Sequence, residues 1–99
     1  MLHIVNKSHT QTTSLQSCLR LAKAGHALLL TEDAVYAATT AAAASSGIGA
    51  AMAQLKVYAL QPDVDARGMA GKLVAGVTPV DYAGFVDLVT EHSNNQSWL

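Results

Sequence analysis

The run Ala27-Leu28-Leu29-Leu30 narrows the fold more than any other feature, because four successive apolar residues leave no polar face. An amphipathic strand alternates and an amphipathic helix repeats every three or four positions. A short unbroken run therefore predicts a strand covered on both faces, as in a parallel sheet. Leu2 to Asn6 is a second short apolar run and Lys56-Val57-Tyr58-Ala59-Leu60 a third. Parallel neighbours need a crossover between them, and the intervening segments are long enough to supply one each time.

Between the first two runs, Thr12-Thr13-Ser14 offers N-caps for a helix through about Ala24, which Gly25 stops. Thr31-Glu32-Asp33 reads as the cap and first turn of a helix beginning near Ala34, its acidic groups at the positive end of the dipole. Ser45-Ser46-Gly47-Ile48-Gly49 breaks that helix as a loop. Pro62 opens a short helix over Asp63-Val64-Asp65-Ala66-Arg67, and Gly68 ends it. An edge or irregular strand is predicted within Leu73 to Val80, where Gly76 and Pro79 weaken pairing. Asp81 caps a final helix from Tyr82 to about Glu91, with Phe85, Leu88 and Val89 on one face. A polar tail then leads to Trp98-Leu99.

Strands alternating with helices predict a small three-layer, Rossmann-like α/β fold with a mainly parallel sheet and helices on both faces. Residues 1–99 suffice for one domain. Ligands in such sheets sit beyond the carboxyl ends of the strands, here the loops Asn6-Lys7-Ser8, Thr31-Glu32-Asp33 and Gln61-Pro62.

Only 13% of residues are charged, about half the share of an average soluble domain, so the folded surface is poor in charge. A subunit of a permanent assembly has that character. Six basic and seven acidic residues, with no run of either sign, give no footprint for direct nucleic-acid binding. Ala34 to Leu55 carries no charge, but its Ala, Thr, Ser and Gly content argues against a membrane span. A lone cysteine and a first segment unlike a secretory signal lead to the expectation of a cytoplasmic protein.

Cys18 is the candidate for catalytic sulfur chemistry, and two readings of it stand. It falls on the stripe Leu15, Cys18, Leu19, Ala22, whose spacing turns it toward a core. A reactive thiol needs exposure and a lowered pKa, and Cys18 lies beyond the first helical turn with only Arg20 as a nearby cation. His3, His9, His26 and His92 are scattered, with no metal-ligand spacing among them. His9, in the polar loop after the first strand, reads as an ordinary solvated loop residue before it reads as a binding group, and it is the one histidine placed for a binding role. Gly47 and Gly49 have dinucleotide-like spacing but lack the third glycine and the preceding strand. No Walker sequence or Gly-x-Ser-x-Gly elbow is present, and the adjacent pair Ser8-His9 has no orienting acid. No cofactor is expected. Trp98 reads as an anchor that pins the tail to its own domain or to a partner.

Several segments together resemble the DsrH/TusB family of sulfur-relay subunits along the whole chain. They are Met1-Leu2-His3, Leu28-Leu29-Leu30 with Glu32-Asp33-Ala34-Val35-Tyr36, Lys56-Val57-Tyr58-Ala59-Leu60 with Ala66-Arg67-Gly68, Val80 to Leu88, and the closing Trp98. The resemblance implies a fold of the DsrE type and a hetero-hexamer with DsrE/TusD-like and DsrF/TusC-like subunits. It further implies that persulfide sulfur passes through the complex from a TusA-like donor to a DsrC/TusE-like acceptor, with the principal reactive cysteine on the DsrE/TusD subunit. A cysteine in the first helix, as at Cys18, is similar to the Dsr-type subunit, as are Asn6-Lys7-Ser8 and the stretch Asp81 to Phe85. That likeness favours dissimilatory sulfur oxidation over the alternative, 2-thiouridine formation in tRNA, while a purely structural subunit with no sulfur on this chain is the third expectation.

Overall fold

The computed structural model describes residues 1–98; Leu99, the last residue of the expected tail anchor, lies outside them. Five strands, β1 (Leu2–Val5), β2 (Ala27–Leu30), β3 (Lys56–Leu60), β4 (Thr78–Val80) and β5 (Asn95–Trp98), form one sheet in the order β4-β3-β2-β1-β5. All four pairings are parallel. Every residue of β2 is buried, as its unbroken apolar run requires.

The chain winds outward from β1 to β4, then returns past the whole sheet to place β5 on the other side of β1. One face is covered by α1 (Ser14–Leu21), a 3-10 helix (Glu32–Ala38), two one-turn helices α2 (Ala43–Ser46) and α3 (Ile48–Ala51), and α4 (Gln61–Ala66). Its core gathers Val5, Leu15, Leu28, Leu30, Val35, Ile48, Val57 and Val64. The other face is covered by α5 (Tyr82–Glu91), where Leu88 packs on Leu2, Ala27 and Leu29 with Phe85 alongside. Helices on both faces of a parallel sheet are the architecture the strand-helix alternation predicts.

Three elements depart from expectation. Helix α1 ends at Leu21, not near Ala24, because Ala22 is already extended and its N–H closes the last turn on the Cys18 carbonyl. The chain then turns through Lys23 to His26, and Gly25 N–H donates to the Gln54 carbonyl, so docking ends the helix before its propensity does. The expected helix from Ala34 is instead the 3-10 segment, an extended Thr39 paired with Leu73, and then α2 and α3. Ala34, Ala37 and Ala38 are all fully buried, so their small side chains bring this backbone against the sheet. Buried Ser46 fastens the join, its hydroxyl donating to the Ala37 carbonyl at 2.8 Å. Gly47 is a left-handed joint (φ +87°) and not part of a loop, since Ile48–Ala51 is helical directly after it. A Cβ there would also lie 3.1 Å from Leu19 Cδ1.

The third departure is β5, which sequence reading leaves as a polar tail. Asn95, Gln96 and Ser97 are exposed, so the strand is defined by its ladder to β1 and by Trp98. The remaining elements match closely: α4 has proline in its first turn, β4 is a three-residue edge strand containing Pro79, and α5 spans Tyr82–Glu91. The Asp81 carboxylate accepts the Gly84 N–H at 2.8 Å, the N-cap bond its position predicts.

These contacts rank two substitutions. Leu29→Ala empties a fully buried site between the sheet and α5 and should cost about 2–5 kcal/mol. Asp81→Ala removes only an exposed cap and should cost about 1 kcal/mol. Urea unfolding should show both as lowered midpoints at unchanged slope, Leu29→Ala by the larger margin.

Candidate functional site

Three loops converge at the carboxyl ends of the strands, where doubly wound sheets place ligands. They bound a cavity of about 320 Å3 whose lining includes Asn6, Thr31, Glu32, Asp63, Tyr82 and Trp98. Glu32 is the only non-glycine residue with positive φ among the described residues (φ +49°), and its N–H donates to Asp63 Oδ2 at 2.7 Å. Arg67 binds Asp33 at 2.9 Å and approaches Asp63 at 3.8 Å. The Asp33 hydrogen bond holds the guanidinium pKa above its ordinary value. These acids therefore tie the 3-10 helix to α4 and are not set up as a general acid–base pair. The buried Asn6 Oδ1 has no hydrogen-bond partner.

The Ser8 hydroxyl is engaged with Thr10 Oγ1 at 2.9 Å and also accepts the Thr10 N–H, which leaves it unavailable as a nucleophile activated by His9. His9 Nδ1 is buried without a partner. His9 lines a second opening of about 430 Å3 with Ser8, Asp33 and Tyr36. Gly47 joins two helices and Gly49 lies inside the second, away from any strand-to-helix turn that could hold a pyrophosphate.

Cys18 occupies the core. Its exposure is 0%, among Leu15, Val5, Leu28 and their neighbours. Burial pushes the thiol pKa up to about 12, so at neutral pH the group is a thiol and not the thiolate that acts as a nucleophile. Arg20, the one cation close in sequence, is exposed and reaches toward the Ser17 hydroxyl. The position is the one the helical stripe dictates, and it is the opposite of the accessible, acidified thiol that a carrier requires.

The structure also brings together residues that sequence reading leaves scattered. Register pairs Leu2 with Ala27, which sets His26 beside the amino-terminal end of β1, while Trp98, opposite Val5 at the carboxyl end, has its ring within reach of His3. His3 Nε2 lies 2.9 Å from His26 Nδ1, and Trp98 Nε1–H donates to His3 Nδ1 at 3.2 Å. His3 is 3% exposed, whereas His26 is half-buried and reaches the surface. Of the four histidines that the sequence leaves scattered, His3 and His26 are brought together. The pairing separates two residues by 23 positions and depends on strand register, so no local motif signals it. Among the described residues, no cluster of three or more His, Cys, Asp or Glu could hold a metal ion, and no helix is long and apolar enough to cross a membrane.

Residues 7–95 match the family model described as DsrH like protein. Protein TusB of Shigella flexneri is 37% identical over 98 residues, covering 99% of this chain and 100% of that protein. Protein TusB of Escherichia coli O1:K1 is similar to the same degree. In three dimensions the chain resembles the crystal structure of the ychN protein from E. coli at a TM-score of 0.74, covering 98% of this chain and 97% of that one. At 18% identity, that likeness shows the fold alone. The family match and the full-length relatives agree with the resemblance carried by the sequence segments, and the protein belongs to the DsrH/TusB family.

Proposed function

We propose that this chain is a structural subunit of a cytoplasmic sulfur-relay complex, assembled with TusD/DsrE-like and TusC/DsrF-like sisters in a hetero-hexamer holding two copies of each. Sulfur moves through that complex from a TusA-like donor to a TusE/DsrC-like acceptor, and its reactive cysteine is on the TusD/DsrE-like sister. The observation that carries this reading is full-length similarity to TusB proteins at 37% identity. Transfer of a persulfide's outer sulfur requires attack by a thiolate, and Cys18 offers neither thiolate nor access. The full-length likeness to TusB proteins supports thiolation of tRNA uridine as the end of the relay over sulfur oxidation.

The surface of α5 supports the assembly role. Tyr82, Val86 and Val89 recur at i, i+4 and i+7 on its outward side with exposures of 60%, 62% and 36%. A helix apolar on both sides is buried on both sides, and in this reading a sister subunit covers the outer stripe.

Two measurements test the proposal. Incubating the purified native complex with a persulfide donor and weighing each subunit intact should place the added sulfur on a sister and none on this chain. A gain here that disappears in Cys18→Ala would make Cys18 the carrier and overturn the structural role. Separately, Val86→Asp should abolish co-purification of the sister subunits while leaving circular dichroism and thermal midpoint close to wild type, because the side chain is exposed in the isolated subunit. Unchanged capture would remove α5 from the interface.

A further inference from the structure

The protons in the His3, His26 and Trp98 chain can be assigned from its two ends. An indole N–H only donates, so His3 Nδ1, which receives it, must be bare. The Lys23 backbone N–H likewise only donates, and it points at His26 Nδ1 at 3.3 Å, so that nitrogen must be bare too. A neutral imidazole with a bare Nδ1 carries its proton on Nε2. His3 Nε2–H then donates to His26 Nδ1 across the 2.9 Å separation, and His26 is left with its own Nε2–H. The assignments made from the two ends agree, and the chain runs in one direction from Trp98 through His3 to His26.

Neither ring can accept a second proton without breaking the chain. On His3 the new N–H would face the Trp98 N–H. On His26 it would face the His3 Nε2–H and the Lys23 N–H. The groups around the pair give an imidazolium no help either. Met1, Leu21, Lys23, Gln96 and Trp98 line the adjoining cavity of about 610 Å3, and none is acidic. Among the described residues, His26 and the amino group of Met1 act on His3, and that amino group and Lys23 act on His26, all cationic when charged. Burial first and then His26 and the amino group lower the pKa of His3. Burial, the amino group and Lys23 lower that of His26.

The chain ends on the residue that holds the last strand. Trp98 is the one residue of β5 that is not exposed, and it packs on the main core cluster. From this geometry we infer that the neutral pair His3–His26 is a proton-sensitive fastening for the carboxyl-terminal strand, and that protonation releases Trp98 and β5 from β1. Because both rings are held neutral, the fastening is complete above the ordinary histidine value of 6.5 and weakens as pH falls below it.

Trp98 is the sole tryptophan, so its fluorescence reports the contact directly. Between about pH 7.5 and about pH 5, emission should shift to the red and amide protection at Ser97 and Trp98 should fall. The fall should reach roughly tenfold for each pH unit by which the fastened rings titrate below the free ones, while β2 and β3 stay protected. The variant pair His3→Gln and His26→Gln, made together, should remove this pH dependence with every other titratable group retained, His92 included. Nitrogen-15 shifts of the wild type at neutral pH should show both rings protonated on Nε2. A flat fluorescence and protection profile, a pH dependence that survives in the double variant, or an Nδ1 proton on either ring would each overturn the inference.

Discussion

The parallel pairing of β1 with β2 in a single register is the constraint on which the rest of this protein depends. Leu2 opposite Ala27 and Val5 opposite Leu30 send two sets of side chains to opposite faces. Val5, Leu28 and Leu30 go to the core beneath α1, while Leu2, Ala27 and Leu29 go to the core beneath α5. A slip by one residue would reverse both sets. The same register sets His3 beside the turn that carries His26, and β5 adds to the free side of β1 to deliver Trp98. The two cores and the histidine pair are thus consequences of one alignment.

Legibility in the sequence followed the strength of local chemistry. The unbroken run Ala27–Leu30 reads as a doubly covered strand, and Asp81 three residues before Gly84 reads as the cap that its 2.8 Å bond makes it. Cys18 was legible as a core position because Leu15, Leu19 and Ala22 surround it at helical spacing. What stayed hidden was set at long range. Nothing local distinguishes an alanine-rich α-helix from a 3-10 segment pressed onto a sheet, since the choice comes from how closely Ala34, Ala37 and Ala38 can approach it. Asn95-Gln96-Ser97 has no strand pattern, because an edge strand with exposed side chains is specified by its neighbour's backbone. The histidine pair was invisible for the same reason.

The proposed division of labour within an assembly draws on family membership and on site geometry. The acids at the carboxyl end of the sheet are spent on joining the 3-10 helix to α4 through Arg67 and the Glu32 N–H. The thiol is in the core, and the serine beside His9 is held by Thr10. On that reading the chain contributes shape and surface, and α5 presents the exposed apolar stripe Tyr82, Val86 and Val89.

The two ends of the sheet differ in kind. Strand β4 is three residues long, and Pro79 at its centre has no N–H to give a further strand. Strand β5 has no such terminator, and its polar residues leave its outer backbone open to water. Growth of the sheet by a foreign strand is therefore directional: Pro79 makes β4 the poorer template and β5 the better one. The integrity of the last four described residues thus governs whether this small domain stays solitary at its edge or becomes the seed of a longer ribbon.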